Sequence, residues 1–250
     1  MIFALFGSIY LDSNLNNHRR GISLASFNIF NNMALINLKK NEFQAKIVYY
    51  GPGRGGKTTN LEYIFKRSVK NIKSNMVTLN TQEGHTLFFD YLPFDIGAIN
   101  GYNLKVQLYS VPGQLKYRAT RRVLLRGADG IVFVADAMAV RRAENIITLQ
   151  NLKEDLAYYK KRIEQMPLVI QYNKMDLLEK GIPLLPIETL EKDINRIPNT
   201  PSFAASAWLG KNVIATLKKI IVTTVVSIKK DFDSAKIRQN HCLNSEVVNI

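Results

Sequence analysis

The run Gly51-Pro-Gly-Arg-Gly-Gly-Lys-Thr58 fits G-x-x-x-x-G-K-[ST], the spacing at which backbone N–H groups wrap a phosphate. Each residue type has a task in that chemistry. Gly51, Gly53, Gly55 and Gly56 let the backbone turn tightly and approach an anion. Lys57 reaches the terminal phosphates as a point charge, and the Thr58 hydroxyl is a candidate ligand for Mg2+, a hard ion that bridges phosphates and keeps several waters. Arg54 and Thr59 complete the expected phosphate-binding set. The same letters would also make a Gly-rich turn with a chance Lys-Thr pair, so the flanks decide. Residues 43–50 are rich in β-branched and aromatic side chains, and Leu61, Ile64 and Phe65 recur at helical spacing. The loop therefore joins a strand to the N-terminus of a helix, where unpaired N–H groups and the helix dipole favour an anion.

A phosphate loop does not choose its base. Asn173-Lys174-Met175-Asp176 follows an apolar strand, and a carboxylate at Asp176 can accept both the N1–H and the 2-amino hydrogens of guanine. Adenine has neither donor and would leave that carboxylate desolvated and unpaired. Asn173 can brace the base and the phosphate loop, and the stem of Lys174 can pack against the ring. Taken alone, these residues also suit a charged strand-to-helix turn. The small residues Ser206 and Ala207, after Ala205, leave room for a backbone N–H to meet the guanine O6. Ser110-Val111-Pro112-Gly113-Gln114 ends another strand. Gly113 there can turn its N–H toward a γ-phosphate and Gln114 can orient an attacking water, although a Pro-Gly turn that merely ends the strand fits the spacing equally well.

These residues need an α/β frame. From Phe43 onward strands and helices alternate, which predicts a mostly parallel sheet with helices on both faces, the P-loop NTPase arrangement. Residues 130–135 and 167–172 read as buried strands, 203–206 as the last strand. Residues 76–83 read as a linker, and residues 86–96 and 104–110, joined through Asn100-Gly101, as one antiparallel edge hairpin. Ile146, Leu149, Leu152, Leu156, Tyr159 and Ile163 form a helical stripe, as do Val213, Leu217, Ile221, Val225 and Ile228 in a closing helix. The expected organisation is a flexible extension or early start over 1–32, with Met33 an alternative initiator, one domain over 33–230, and a loose polar tail over 231–250.

With 250 residues, 46% of them hydrophobic, the chain can bury a sizeable core. Its one cysteine, Cys242, excludes an internal disulfide and fits a reducing cytoplasm. No apolar run approaches the roughly 18 residues of a spanning helix. The net charge of +14 suggests either acidic partners or a lysine-rich solvated surface. Lys116, Arg118, Arg121, Arg122 and Arg126 crowd one segment that could present a docking face.

From Met33 to the closing helix, about four-fifths of the chain, the sequence resembles the bacterial Ras-like small GTPases of the MglA type. The motifs that carry the likeness are Lys46-Ile-Val-Tyr-Tyr-Gly-Pro-Gly53, Gly56-Lys-Thr-Thr-Asn-Leu61, Thr86-Leu-Phe-Phe-Asp90, Val111-Pro-Gly-Gln114, Gly130-Ile-Val-Phe-Val-Ala-Asp136 and Asn173-Lys-Met-Asp176. The resemblance implies a Ras-like G domain that hydrolyses GTP slowly, off with GDP and on with GTP, in gliding motility or cell polarity. It makes Thr86 the first-switch ligand of Mg2+ or the γ-phosphate and Gln114 the catalytic residue that positions water. It implies a roadblock-type GTPase-activating dimer, polarity or motility effectors, and a cytoplasmic protein recruited to a cell pole or membrane periphery. Three positions depart from relatives. His85 stands where an arginine is usual, Ser110 where Ras-like proteins carry the aspartate of D-x-x-G, and Trp208 where Ras has lysine. The ring of Trp208 would either lie near the base or pack. His85 keeps open a GTP-binding scaffold that hydrolyses almost nothing. Charge alone supports a nucleic-acid-binding NTPase, and no nucleic-acid motif accompanies it, so nucleic acid is not the expected partner.

Overall fold

A computed structural model describes residues 35–37, 42–68, 77–80, 86–99, 102–113 and 117–247. Expectations for residues 1–32, His85, the Asn100-Gly101 turn, Gln114 and Lys116 fall outside them. In chain order the elements are β1 (Leu35–Asn37), β2 (Glu42–Tyr50), α1 (Lys57–Ser68), β3 (Val77–Asn80), β4 (Thr86–Ile99), β5 (Tyr102–Ser110), α2 (Arg118–Leu125), β6 (Gly130–Asp136), α3 (Arg142–Ala157), β7 (Leu168–Asn173), α4 (Ile187–Ile194), β8 (Ser202–Ala204) and α5 (Val213–Val247).

The strands form one sheet in the order β3-β4-β5-β2-β6-β7-β8, with β1 antiparallel on β2. Strands β5, β2, β6, β7 and β8 run parallel, and β4 returns antiparallel on β5 in a ladder that begins at Ile99 opposite Tyr102. That is the mostly parallel α/β sheet with an antiparallel hairpin toward one edge. Two of the described strands were hidden in the sequence: Leu35–Asn37, to which no element was assigned, pairs antiparallel with β2, and Val77–Asn80, read as linker, pairs antiparallel with β4 and forms the outermost strand. Only four residues long, two of them polar, it lacks the apolar run that betrays a buried strand.

β6 alternates its side chains between two cores. Ile131, Phe133 and Ala135 join Leu125, Leu152 and Leu156 of α2 and α3 on one face. Val132 and Val134 meet Leu61 and Ile64 of α1 and Val213, Leu217 and Ile220 of α5 on the other. Every residue of β6 and of β7 is buried, as a strand covered on both faces requires.

The stripe Val213, Leu217, Ile221, Val225 and Ile228 faces the core as expected, but two helices differ from the reading in extent. α3 ends at Ala157; Ile146 is exposed, and Ile163 is buried from a separate 3-10 turn. Leu149, Leu152 and Leu156 are buried as expected, and the same face also buries the polar Asn145, Thr148 and Asp155, which apolar spacing alone does not mark. α5 does not stop near Lys230 but continues as helix to Val247. Residues 229–239 contain neither Gly nor Pro and are mostly good helix formers, so nothing local ends it. No helix among the described residues is long and apolar enough to cross a membrane.

Candidate functional site

Because β2, β5, β6, β7 and β8 are parallel, the loops after them open at one edge of the sheet. The chain order reverses around β2, where β5 lies on one side and β6 on the other, the crevice in which open α/β sheets bind ligands. Residues 51–56 fill that crevice between Tyr50 and the first turn of α1.

The loop is tightly held. Gly55 N–H donates to Pro52 O at 3.2 Å, and Asn60, from N–H and from Nδ2, donates to Gly56 O at 3.0 and 2.8 Å. Lys57 is buried, and its Nζ donates to Gly51 O at 3.0 Å and Pro52 O at 2.7 Å. Thr58 and Thr59 occupy the first turn of α1, with no acidic residue in that turn to oppose an anion. Gly56 has φ +94, and a Cβ there would run into Asn173 Nδ2. A Cβ on Gly113 would collide with the Gly53 backbone. The turn after β5 thus presses directly on the phosphate loop.

The guanine-motif residues arrive from β7 and β8. Asn173, buried, donates from Nδ2 to Gly55 O at 2.8 Å and accepts the Ala207 N–H on Oδ1 at 2.7 Å. One amide therefore pins the phosphate loop, the end of β7 and the loop after β8 together. Met175 N–H donates to Ala205 O at 3.0 Å, tying the same two loops again. Ser206 is buried and its Oγ accepts the Leu209 N–H at 3.1 Å. Asp176, half-buried, is the second residue of the 3-10 turn Met175–Lys180. Lys174, at φ 73, points its Nζ to Asp136 Oδ2 at 2.6 Å, so its charge is committed within the protein. Trp208 is 76% exposed, which removes the packing role considered for it. Thr86 opens β4.

Two features have no signature in the sequence. Asp136, fully buried at the end of β6, pairs with Lys174 and lies 3.8 Å from Arg141 Nε, while Arg141 Nη2 donates to Gly53 O at 2.9 Å. The only hint was a pair of arginines following a buried strand. The second is the fate of the basic segment. Arg118 and Arg122 donate from Nε to Asp155 Oδ1 at 3.1 and 2.9 Å, and Arg121 Nε donates to Tyr50 Oη, which donates to Asp155 Oδ2 at 3.1 Å. Three of the arginines read as a docking face are turned onto one buried carboxylate of α3. Burial, with Asp155 adding to it and Arg121 opposing it, pushes the Tyr50 hydroxyl well above the ordinary phenol range, so it stays a donor beside the loop.

No cluster of three His, Cys, Asp or Glu side chains that could cage a metal occurs among the described residues. The donor set is a hydroxyl at a helix N-terminus, which suits a cation held mainly by phosphate and water.

The ADP-ribosylation factor family model matches residues 31–221. The mutual gliding-motility protein MglA of Myxococcus xanthus (strain DK1622) is 41% identical over 198 residues, covering 79% of this chain and 99% of that protein. The Ras-related protein Rab-9A is 24% identical in Homo sapiens and 25% in Rattus norvegicus, each over 82% of this chain and 90% of that protein. With a phosphate loop at the reversal point of the sheet and a match across most of its length, this chain belongs to the ADP-ribosylation factor family and is a Ras-like small GTPase.

Proposed function

We propose that this GTPase is a switch in cell polarity or motility, reading GTP against GDP through the segments around Thr86 and Gln114. The observation that carries the reading is the Asn173 brace, which fastens a guanine-type motif onto the phosphate loop and onto Ala207. Gly51, Gly53, Arg54, Gly55, Gly56, Lys57 and Thr59 would hold the phosphates, with Gly113 joining them at the γ-position. Asp176 would accept the guanine N1–H and amino hydrogens, framed by Asn173, Lys174, Ser206 and Ala207. Thr58 would hold Mg2+, joined by Thr86 in the triphosphate state, and the ion would supply charge neutralisation to the phosphates.

Hydrolysis on this reading is positioning and electrostatics. Lys57 and the loop N–H groups fix the phosphates, and Gln114 holds water in line. The link to motility and polarity rests on the likeness to the gliding-motility protein. A roadblock-type dimer is the activating partner that the likeness implies, effectors would dock when GTP orders the two segments, and recruitment to a cell pole follows from the same likeness. His85 favours a second reading, a scaffold that binds GTP and turns it over negligibly, because a neutral imidazole does not replace a guanidinium.

Calorimetry with GTP and ATP on the wild type and on Asp176→Asn tests the base assignment. The wild type should prefer GTP by roughly tenfold to a hundredfold, since a carboxylate desolvated by the base and left unpaired by adenine costs about 1–3 kcal/mol. Asp176→Asn should erase most of that preference. Equal wild-type affinity for the two nucleotides would refute the guanine reading.

A further inference from the structure

Arg141 closes the 3-10 turn Ala139–Arg141 that leads from β6 into α3. Its guanidinium meets three groups. Nη1 donates to Glu144 Oε1 at 2.7 Å, Nε lies 3.8 Å from Asp136 Oδ2, and Nη2 donates to Gly53 O at 2.9 Å. The first two are carboxylates of its own stretch of chain, and they fix the planar fork. The third is a backbone carbonyl 88 residues earlier, in the phosphate loop.

That carbonyl has a particular place in the loop. A peptide unit is planar and trans, so its C=O and N–H point in opposite directions. Holding the Gly53 C=O against Arg141 turns the other end of the same peptide, the Arg54 N–H, away from the arginine. Arg54 has φ 61, in the left-handed region that a residue with a long side chain seldom occupies. Such a conformation is unfavourable on its own and persists when the surroundings hold it. A charge-assisted hydrogen bond to the carbonyl is a tie of sufficient strength. The fork is itself steadied by Asp136, whose carboxylate also holds Lys174 of the guanine motif at 2.6 Å.

We propose that Arg141 is a positioning residue for the phosphate loop: by holding the Gly53 carbonyl it aims the Arg54 N–H at the phosphates of the nucleotide. The assignment rests on the nucleotide reading above. It predicts a loss confined to ligands that carry phosphate, which a merely structural role would not produce.

The test compares GDP, by calorimetry, with guanosine, by NMR titration, on full-length wild type, Arg141→Gln and Arg141→Lys, with melting midpoints recorded. Arg141→Gln should weaken GDP by about tenfold or more while guanosine changes by less than about twofold. Arg141→Lys, which keeps a charged donor without the fork, should lose about threefold for GDP alone. Equal losses for GDP and guanosine, or no loss for GDP, would overturn the assignment. Should Arg141→Gln not fold, Arg141→Lys decides by the same criteria. A wild type that does not bind GDP would sink the nucleotide reading itself, whereas variants that bind GDP as tightly as a GDP-binding wild type sink only the role of Arg141.

Discussion

Replacing Asp155 by Asn removes one charge from the centre of an ion cluster without changing its volume. The carboxylate is fully buried, and Arg121, only 2% exposed, lies 3.9 Å away and shares Tyr50 Oη with it. Arg118 and Arg122 bond the same carboxylate but are 40% and 32% exposed, so solvent screens what each of them loses. The larger cost falls on Arg121, which is buried and loses the nearby Asp155 charge, at up to roughly 3–5 kcal/mol. For a domain of this size a loss of that order lowers the melting midpoint by roughly 6–20 °C. Urea and thermal unfolding followed by circular dichroism measure it, and moderate salt should reduce the effect little because the pair is buried. Arg121→Met in the Asp155→Asn background should restore part of the stability, since the buried cation is then gone. A cost for Asp155→Asn below about 1 kcal/mol, or single and double variants that simply add, would refute the picture of Asp155 as the counter-ion of Arg121.

Burial lifts the Asp129 carboxyl to about 6, above about 3.9 in an unfolded chain, so the native state binds the proton more tightly. Stability should therefore rise as pH falls from 7 through 6 toward 4, by roughly 3 kcal/mol at full effect, and be lost as pH climbs back. Urea midpoints at pH 5 and 7 should differ in that direction for the wild type and converge for Asp129→Asn; an unchanged pH slope in the variant would clear Asp129 of the effect. His85→Arg decides between switch and scaffold: arginine fingers contribute on the order of 10³–10⁵ in rate, so single-turnover phosphate release should rise at least tenfold if the position faces the γ-phosphate. Brisk release by the wild type with a roadblock-type dimer would end the scaffold reading.

The parts of this molecule that announce themselves in sequence are those built from neighbours. The loop at residues 51–58 is legible because its glycines, lysine and threonine act within one turn, and β6 because a strand buried on both faces is apolar throughout. The parts that stay hidden join residues far apart along the chain. Asp155 reads as one more charge on an amphipathic helix, because its partners Arg122, Arg118 and Tyr50 lie 33, 37 and 105 residues away. Arg141 leaves no trace because its target is a carbonyl, which every residue has. β3 escaped because a short, half-polar strand at a sheet edge has the composition of a loop.

The amide of Asn173 touches the phosphate loop with one end and the Ala207 segment with the other. On the proposed reading these are the two halves of a nucleotide's berth, so a single rigid group is shared by two binding events. Linkage then imposes a symmetry: whatever factor an occupied phosphate berth adds to the affinity for guanosine, guanosine must return to the affinity for pyrophosphate. A nucleotide cut into two fragments would be bound cooperatively by this protein, and the size of that cooperativity measures how stiff one side chain is.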